Sequence, residues 1–348
     1  MIAFLILLGT LNGVFPTDSS PTVPEPRKTY TNPLGNITRI GDPYILKVDT
    51  NYYLYATSSA NGFKVWQSSD LVSWTEKGLA LDKNNPLNRW GKGNFWAPEV
   101  KFYRNSFYMT YSAIDTTGKM KIRIARSSEP TGPFINWSPP LFQKDDFSYI
   151  DSNLLIDNDK VYIFYVKDCS TNIIDGKHIS QIYVNELDQN LKTAIGEPKL
   201  ILTPDQEWEA LKNDWKWNEG PYVIKVKKLY YLFYSANAFN NPNYSVGYAI
   251  SSSPQGPWTK FEGNPILKKN LNLKVSGPGH CCITSSPDNT EFFIVYHTHT
   301  LFDKPGGDRN LCIDRITFKN GKVEVAGPTR SPQPFPSSAR LKTTHKNK

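Results

Sequence analysis

The chain has 348 residues, 40 Lys and Arg against 32 Asp and Glu for a formal net charge of +8, and 39% hydrophobic against 21% charged residues. That balance excludes wholesale disorder, because the chain carries core material to bury. Aromatic residues at 13%, with 22 Gly and 26 Pro, favour many short strands and turns and argue against a helix bundle or coiled coil.

Residues 2–15 (IAFLILLGTLNGVF) form the one sustained apolar run, short for a membrane span and placed where a secretory signal sits. Residues 16–30 are rich in Pro, Ser and Thr and read as an extended linker. The first thirty residues are therefore expected to be a signal-like segment and linker, and the protein to be secreted or extracytoplasmic.

From there five segments share one plan: a polar or acidic residue beside Pro, Gly or Ser, an apolar strand, a turn, an aromatic strand and a third strand. They begin at GDPYILKV, WAPEVKFY, IDSNLLID, NEGPYVIKV and SGPGHCCITSS. The markers Asp42, Glu99, Asp151, Glu219 and His280 stand 57, 52, 68 and 61 positions apart. A four-stranded antiparallel sheet with its turns takes roughly 40–50 residues, so each interval fits one propeller blade plus a loop. Runs such as Tyr52-Tyr53-Leu54-Tyr55 do not alternate cleanly, which suits strands covered on both faces. The fold expected is all-β, a single five-bladed β-propeller over residues 31–330. The spacing Thr203-Pro204-Asp205-Gln206 before EWEALKNDW predicts a short helix between the third and fourth blades. Residues 331–348 are expected to be a C-terminal tail, ending in the basic run Arg340 to Lys348.

Cys169, Cys281, Cys282 and Cys312 form no C-x-x-C pair, which removes zinc-finger and thioredoxin readings and leaves buried thiols as the expectation. The basic residues are scattered and no helix-turn-helix, finger or RNP motif occurs, so neither nucleic acid nor membrane is an expected partner.

In a propeller the first strand of every blade lines the axis. Asp42, Asp151 and Glu219 are therefore expected to converge despite their separation in sequence. Clustered carboxylates repel one another, and such a cluster marks a working site more often than a structural one. Three carboxylates suit glycosidic cleavage: inversion needs a base to activate water and an acid to protonate the leaving oxygen, roughly 6.5–9.5 Å apart. A third can hold up the pKa of the acid. Trp96, beside the second acidic motif, is the best candidate for stacking on a sugar ring; Phe95, Trp215 and Trp217 also lie beside acidic motifs.

The ordered set GDPYIL at 41–46, FWAPEV at 95–100, IDSNLLID at 150–157, WNEGPYV at 217–223 and GPGH at 277–280, followed by YHTH at 296–299 and Arg309, resembles glycoside hydrolase family 43. The resemblance implies single-step inversion with Asp42 as general base, Glu219 as general acid and Asp151 tuning that acid. It implies that Arg309 supports the catalytic carboxylates. It also implies a calcium or ordered-water site on the axis near His280, which by itself reads equally as a hydrogen-bonded buried histidine. No cofactor is expected to be required. His297 and His299 read as structural. The implied activity is exo release of L-arabinofuranose or D-xylose from plant cell-wall arabinan or arabinoxylan. The alternatives are an endo-arabinanase of the same fold and a non-catalytic carbohydrate-binding propeller. A neutral substrate would make the +8 charge incidental.

Overall fold

The computed structural model describes residues 28–142, 146–211 and 214–338; the apolar run at 2–15 and the basic end from Arg340 lie outside them. Five four-stranded antiparallel sheets follow one another in chain order. The first blade is Gly41–Val48, Asn51–Thr57, Gly62–Ser68 and Thr75–Asp82. The second is Gly93–Tyr103, Ser106–Ile114, Met120–Ser127 and Ile135–Asn136, and the third Tyr149–Asp157, Lys160–Lys167, Gln181–Leu187 and Ala194–Leu202. The fourth is Glu219–Val226, Leu229–Ala236, Ser245–Ser251 and Thr259–Lys260, and the fifth Gly279–Ser285, Phe292–His299, Arg309–Lys319 and Lys322–Val325. The first strand of each blade packs on the first strands of both neighbours, including fifth on first, so the five blades close a ring around one axis.

Aromatic side chains fill the space between the sheets. Tyr52, Tyr55, Tyr111, Tyr165, Tyr234, Tyr248, Tyr296, Phe63, Phe164 and Phe233 are all fully buried. Second strands thus bury both faces, which is why their sequences run without alternation. All four cysteines are buried free thiols, in keeping with a core that needs no cross-link.

Ring closure depends on the segment before the first blade. Leu34 donates its N–H to the Leu311 carbonyl at 2.8 Å and Ile40 to that of Arg309 at 3.0 Å, fastening this segment along the third strand of the last blade. Asn32 is buried: its amide donates to the Ile313 carbonyl at 2.8 Å and accepts from the Ile313 N–H at 3.0 Å. The expected linker and tail also meet. Thr29–Tyr30 pairs with Gln333–Pro334, so ordered chain begins before residue 31 and continues past 330.

Two features depart from expectation. Among the described residues of EWEALKNDW no α-helix forms; a single 3-10 turn, Glu207–Glu209, occupies the place. The capping interaction forms three residues later than that spacing implies, with Glu209 Oε2 accepting from the Gln206 N–H at 2.9 Å. However, the same carboxylate is buried against Lys260 Nζ at 2.7 Å and the Tyr234 hydroxyl at 2.7 Å. Anchoring to the fourth blade outweighs helix propagation, whose nucleation is unfavourable for so short a segment. The second departure is an extra four-stranded sheet built from two insertions: Ile173–Ile174, Lys177–Ile179, Trp215–Lys216 and Ala210–Leu211.

Asn32→Ala should remove both hydrogen bonds to Ile313 and take that partner from its buried N–H, while the Tyr30 hydroxyl still donates to its carbonyl at 3.2 Å. Its cost is expected to be about 2 kcal/mol, read as a lowered urea midpoint with an unchanged slope. An unchanged midpoint would show that the latch does not hold the ring.

Candidate active site

Each inner strand carries a β-bulge at the same height. Register slips between Gly41 and Tyr44, Trp96 and Glu99, Ile150 and Asn153, Glu219 and Tyr222, and Gly279 and Cys282. The residue just inside each slip has left-handed backbone: Asp42 (φ 53°), Ala97 (46°), Asp151 (54°), Gly220 (56°) and His280 (47°). For an L-residue this costs roughly 1–2 kcal/mol, and a bulge re-aims the side chains around it.

A side chain of the preceding blade receives the bulged N–H. Thr57 Oγ accepts from Ala97 at 2.9 Å, Ser112 Oγ from Asp151 at 3.1 Å, Ser235 Oγ from His280 at 2.8 Å, and His297 Nδ1 from Asp42 at 3.2 Å. All four acceptors sit opposite the residue before the bulge in their own blade. In the third blade that position is Val166, which has nothing to offer. The Gly220 N–H turns instead to Asp151 Oδ2 at 3.0 Å. The one gap in the pattern therefore orients Asp151 towards Glu219.

The sequence-predicted residues meet as follows. A cavity of about 270 Å³ on the axis is lined by Asp42, Trp96, Asp151, Glu219, His280 and Arg309, together with Ile150, Phe239 and Gly307. Glu99 does not share this level. It lies two residues beyond the bulge, buried, and accepts from the Asn153 amide. Its true counterpart is Ala97, and that of Asp42 in the fourth blade is Gly220, one residue after Glu219. Trp215 and Trp217 are not on the cavity wall; Trp215 stacks on His178 at 3.8 Å in the extra sheet and on Trp217 at 5.9 Å. Phe95 is buried against Phe63 and Tyr111.

The carboxyls occupy opposed environments. Asp42 Oδ1 lies 2.8 Å from Arg309 Nη1 and 3.3 Å from His280 Nδ1, and Oδ2 accepts from Thr57 Oγ at 2.6 Å. Burial pushes this carboxyl up, but Arg309, His280, His297 and the Thr57 hydroxyl together outweigh it and hold it well below the usual range. Burial raises Asp151 to about 6, with His280 pulling it down and Asp42 pushing it up. Burial, then the charge of Asp151, lifts Glu219 well above an ordinary carboxyl, although Tyr244 donates to its Oε1 at 2.8 Å and opposes the rise. Arg309 is fixed from three sides: its Nε donates to the Gly307 carbonyl at 3.1 Å, it lies 5.1 Å over Phe239, and it packs against Gly41. A Cβ at Gly41 would stand 1.9 Å from its Nη2, so only glycine leaves that guanidinium in place.

Sequence reasoning left His297 structural and missed Thr57 and Tyr244. His297 accepts the Asp42 N–H through Nδ1, and burial holds its pKa well below the ordinary value. The proton therefore sits on Nε2, buried with no hydrogen-bond partner among the described residues. That edge offers a cation a donor rather than a lone pair, and Asp42 is already engaged by Arg309. Calcium takes six to eight oxygen ligands; among the described residues no group of three or more His, Cys, Asp or Glu side chains has metal-holding geometry. The side chains near His280 do not fit a directly ligated calcium, and no step below passes through one.

Ionising a buried Asp151 opposes folding. Raised from 3.8 to about 6, it contributes fully below pH 3.8, where it is neutral folded or unfolded. That contribution is lost as pH rises through 6, at a cost of roughly 3 kcal/mol. Asp151→Asn is therefore expected to stabilise the protein at pH 8 by up to about 3 kcal/mol and not at pH 4, in chemical denaturation at both. An equal effect at the two pH values would contradict the assignment.

The sequence matches the model of Glycosyl hydrolases family 43 over residues 30–323. A solved thermostable family-43 glycoside hydrolase is 57% identical with a TM-score of 0.87, covering 89% of this chain and 100% of that one. The β-D-galactofuranosidase xynD of Aspergillus niger is 28% identical over 301 residues, 80% of this chain and 79% of its own. The extracellular exo-α-(1→5)-L-arabinofuranosidase of Streptomyces avermitilis is 26% identical over 312 residues, 84% of this chain and 61% of its own. The chain thus spans about three fifths of that last protein.

Proposed function

This chain belongs to glycosyl hydrolase family 43, and from that premise we propose that it is an inverting, exo-acting glycosidase releasing terminal L-arabinofuranose from arabinan or arabinoxylan. One observation carries the reading: a single cavity brings together Asp42, whose carboxyl Arg309 and its other partners push down, and Glu219, whose carboxyl burial and Asp151 push up. Glu219 donates its proton to the leaving oxygen as the bond to the anomeric carbon breaks. Asp42 orients a water on the opposite face and takes its proton as the new bond forms. A carboxylate as acidic as Asp42 is a weak base towards free water. It suffices here because the oxocarbenium-like transition state makes the attacking water acidic. Asp151 holds the Gly220 N–H, and thereby the strand bearing Glu219, while its charge keeps the proton on that acid. Trp96 supplies an apolar face to the sugar.

A cavity of about 270 Å³ suits one terminal residue, which favours exo cleavage. The five-membered sugars named for the Aspergillus and Streptomyces relatives favour a furanose over xylose. The extracellular relative supports secretion, and no helix among the described residues is long and apolar enough to cross a membrane. Endo cleavage is the second reading, favoured by an open groove that continues from the cavity along the first two blades.

Asp42→Ala should lower kcat on every substrate by about 10³-fold, whereas Glu219→Ala should lose about 10²–10⁴-fold on natural glycans and much less on aryl arabinofuranosides with good leaving groups. NMR of the first product is expected to show the inverted anomer, and arabinan digestion to yield monosaccharide. Retention of configuration, or near-native turnover by Asp42→Ala, would overturn the mechanism. The alkaline limb of the pH profile marks loss of the Glu219 proton. The Tyr244 hydroxyl favours the ionised form, so Tyr244→Phe should move that limb to higher pH; a shift to lower pH would reverse the assignment.

A further inference from the structure

The groove beside the cavity measures about 580 Å³ and shares Trp96, Gly307 and Arg309 with it. Its other walls combine hydroxyls, from Thr57, Ser58 and Ser59, with the cations Arg39, Lys83 and Lys92. No carboxylate is among its lining residues. Five lysines elsewhere, Lys64, Lys119, Lys160, Lys225 and Lys260, each lie within 3.0 Å of a carboxylate oxygen. Among the described residues Lys83 and Lys92 make no ion pair, and Arg39 stands 3.9 Å from Asp308, both largely exposed.

A neutral glycan would give Lys83 and Lys92, in a sugar-sized groove, nothing to pair with. We propose that this groove binds a hexuronate residue of the same glycan, so that the enzyme prefers chains carrying carboxylate-bearing sugars beside the sugar it removes. The hydroxyls match sugar hydroxyls, Trp96 offers an apolar face shared with the cavity, and Lys83 and Lys92 take the carboxylate. The net charge of +8 adds a general attraction for a polyanionic chain. The inference rests on the glycosidase reading above but concerns a different set of residues.

The test compares an oligosaccharide bearing a hexuronate with the same oligosaccharide after its carboxyl is reduced to a hydroxymethyl group. Glucuronosyl arabinoxylan and galacturonosyl arabinan fragments serve as separate arms to identify the source of the acid. The ratio of kcat/KM, charged over reduced, is expected to be roughly three to ten in one arm at low salt, as suits two exposed charge pairs. It should fall to about one in 0.5 M NaCl, where screening acts over about 4 Å, and to about one in Lys83→Gln/Lys92→Gln. A ratio of one in both arms, or a double variant that keeps the preference, overturns the proposal. Absence of hydrolysis on every pentoside would instead sink the glycosidase reading. The groove would then be judged by calorimetric titration of the same two oligosaccharides, with no difference between them again overturning it.

Discussion

The site rests on a single repeated interaction, the capture of a bulged N–H by a side chain from the preceding blade. A bulge frees a donor from the ladder, and a buried free donor costs about 1–3 kcal/mol. Thr57, Ser112, Ser235 and His297 each remove that cost for the next blade while tying the blades together at the axis. The strained backbone at Asp42, Asp151 and His280 is therefore held by interactions that also close the ring. Strain of this kind persists where surrounding structure over-determines it. Val166 breaks the series, and the break is where chemistry enters. With no hydroxyl there, the donor of Gly220 draws a carboxylate across to the neighbouring blade, and Asp151 comes to lie beside Glu219.

From this follows the division of labour among three carboxyls on one short stretch of axis. Desolvation acts upward on all of them, so proton affinity is decided by partners. Asp42 has a guanidinium, two imidazoles and a hydroxyl; Glu219 has one phenol and a carboxylate neighbour. The latch before the first blade joins the two scales of organisation. The Ile40 N–H that fastens it binds the carbonyl of Arg309, whose guanidinium holds Asp42. Ring closure and base placement thus share one residue.

Much of this was legible in the sequence because propeller blades repeat. The motifs GDP, WAPE, IDSN, NEGP and GPGH stand at the five bulges, and the convergence of Asp42, Asp151 and Glu219 followed from that. Anchoring the repeat on acids misplaced Glu99, since a bulge adds a residue without changing the chemistry around it. The prolines were the better anchor: Pro43, Pro98 and Pro221 occupy one position, with Ser152 and Cys281 as their counterparts. A proline there has no N–H to lose from the ladder. The acceptor positions were also visible in principle, as the polar residue near the end of each aromatic second strand. Phe239 and Gly307 come from loops with no period. The placement of Trp215 depends on a parallel pairing with His178, which no local pattern encodes.

The charge of the chain takes a different meaning once the cations are located. A count of +8 says nothing about distribution, and scattered exposed lysines mainly confer solubility. What matters is where opposite charges are withheld. Around the axis the protein places carboxylates where they must change or hold protons and sets the Arg309 guanidinium against Asp42. One step outward, along the first two blades, it lines a groove with cations and no carboxylate. Arg309 stands at the boundary, its charge shared between the base and the groove. An anionic sugar seated there would act against the field of Arg309 at Asp42, a field joined by the His280 contact and the Thr57 hydroxyl, which hold the same carboxyl below the ordinary range. Because those partners lie on the cavity side of Asp42 and do not line the groove, apart from Thr57, base placement does not rest on Arg309 alone, and proton transfer and recognition of a charged glycan can occupy adjoining ground.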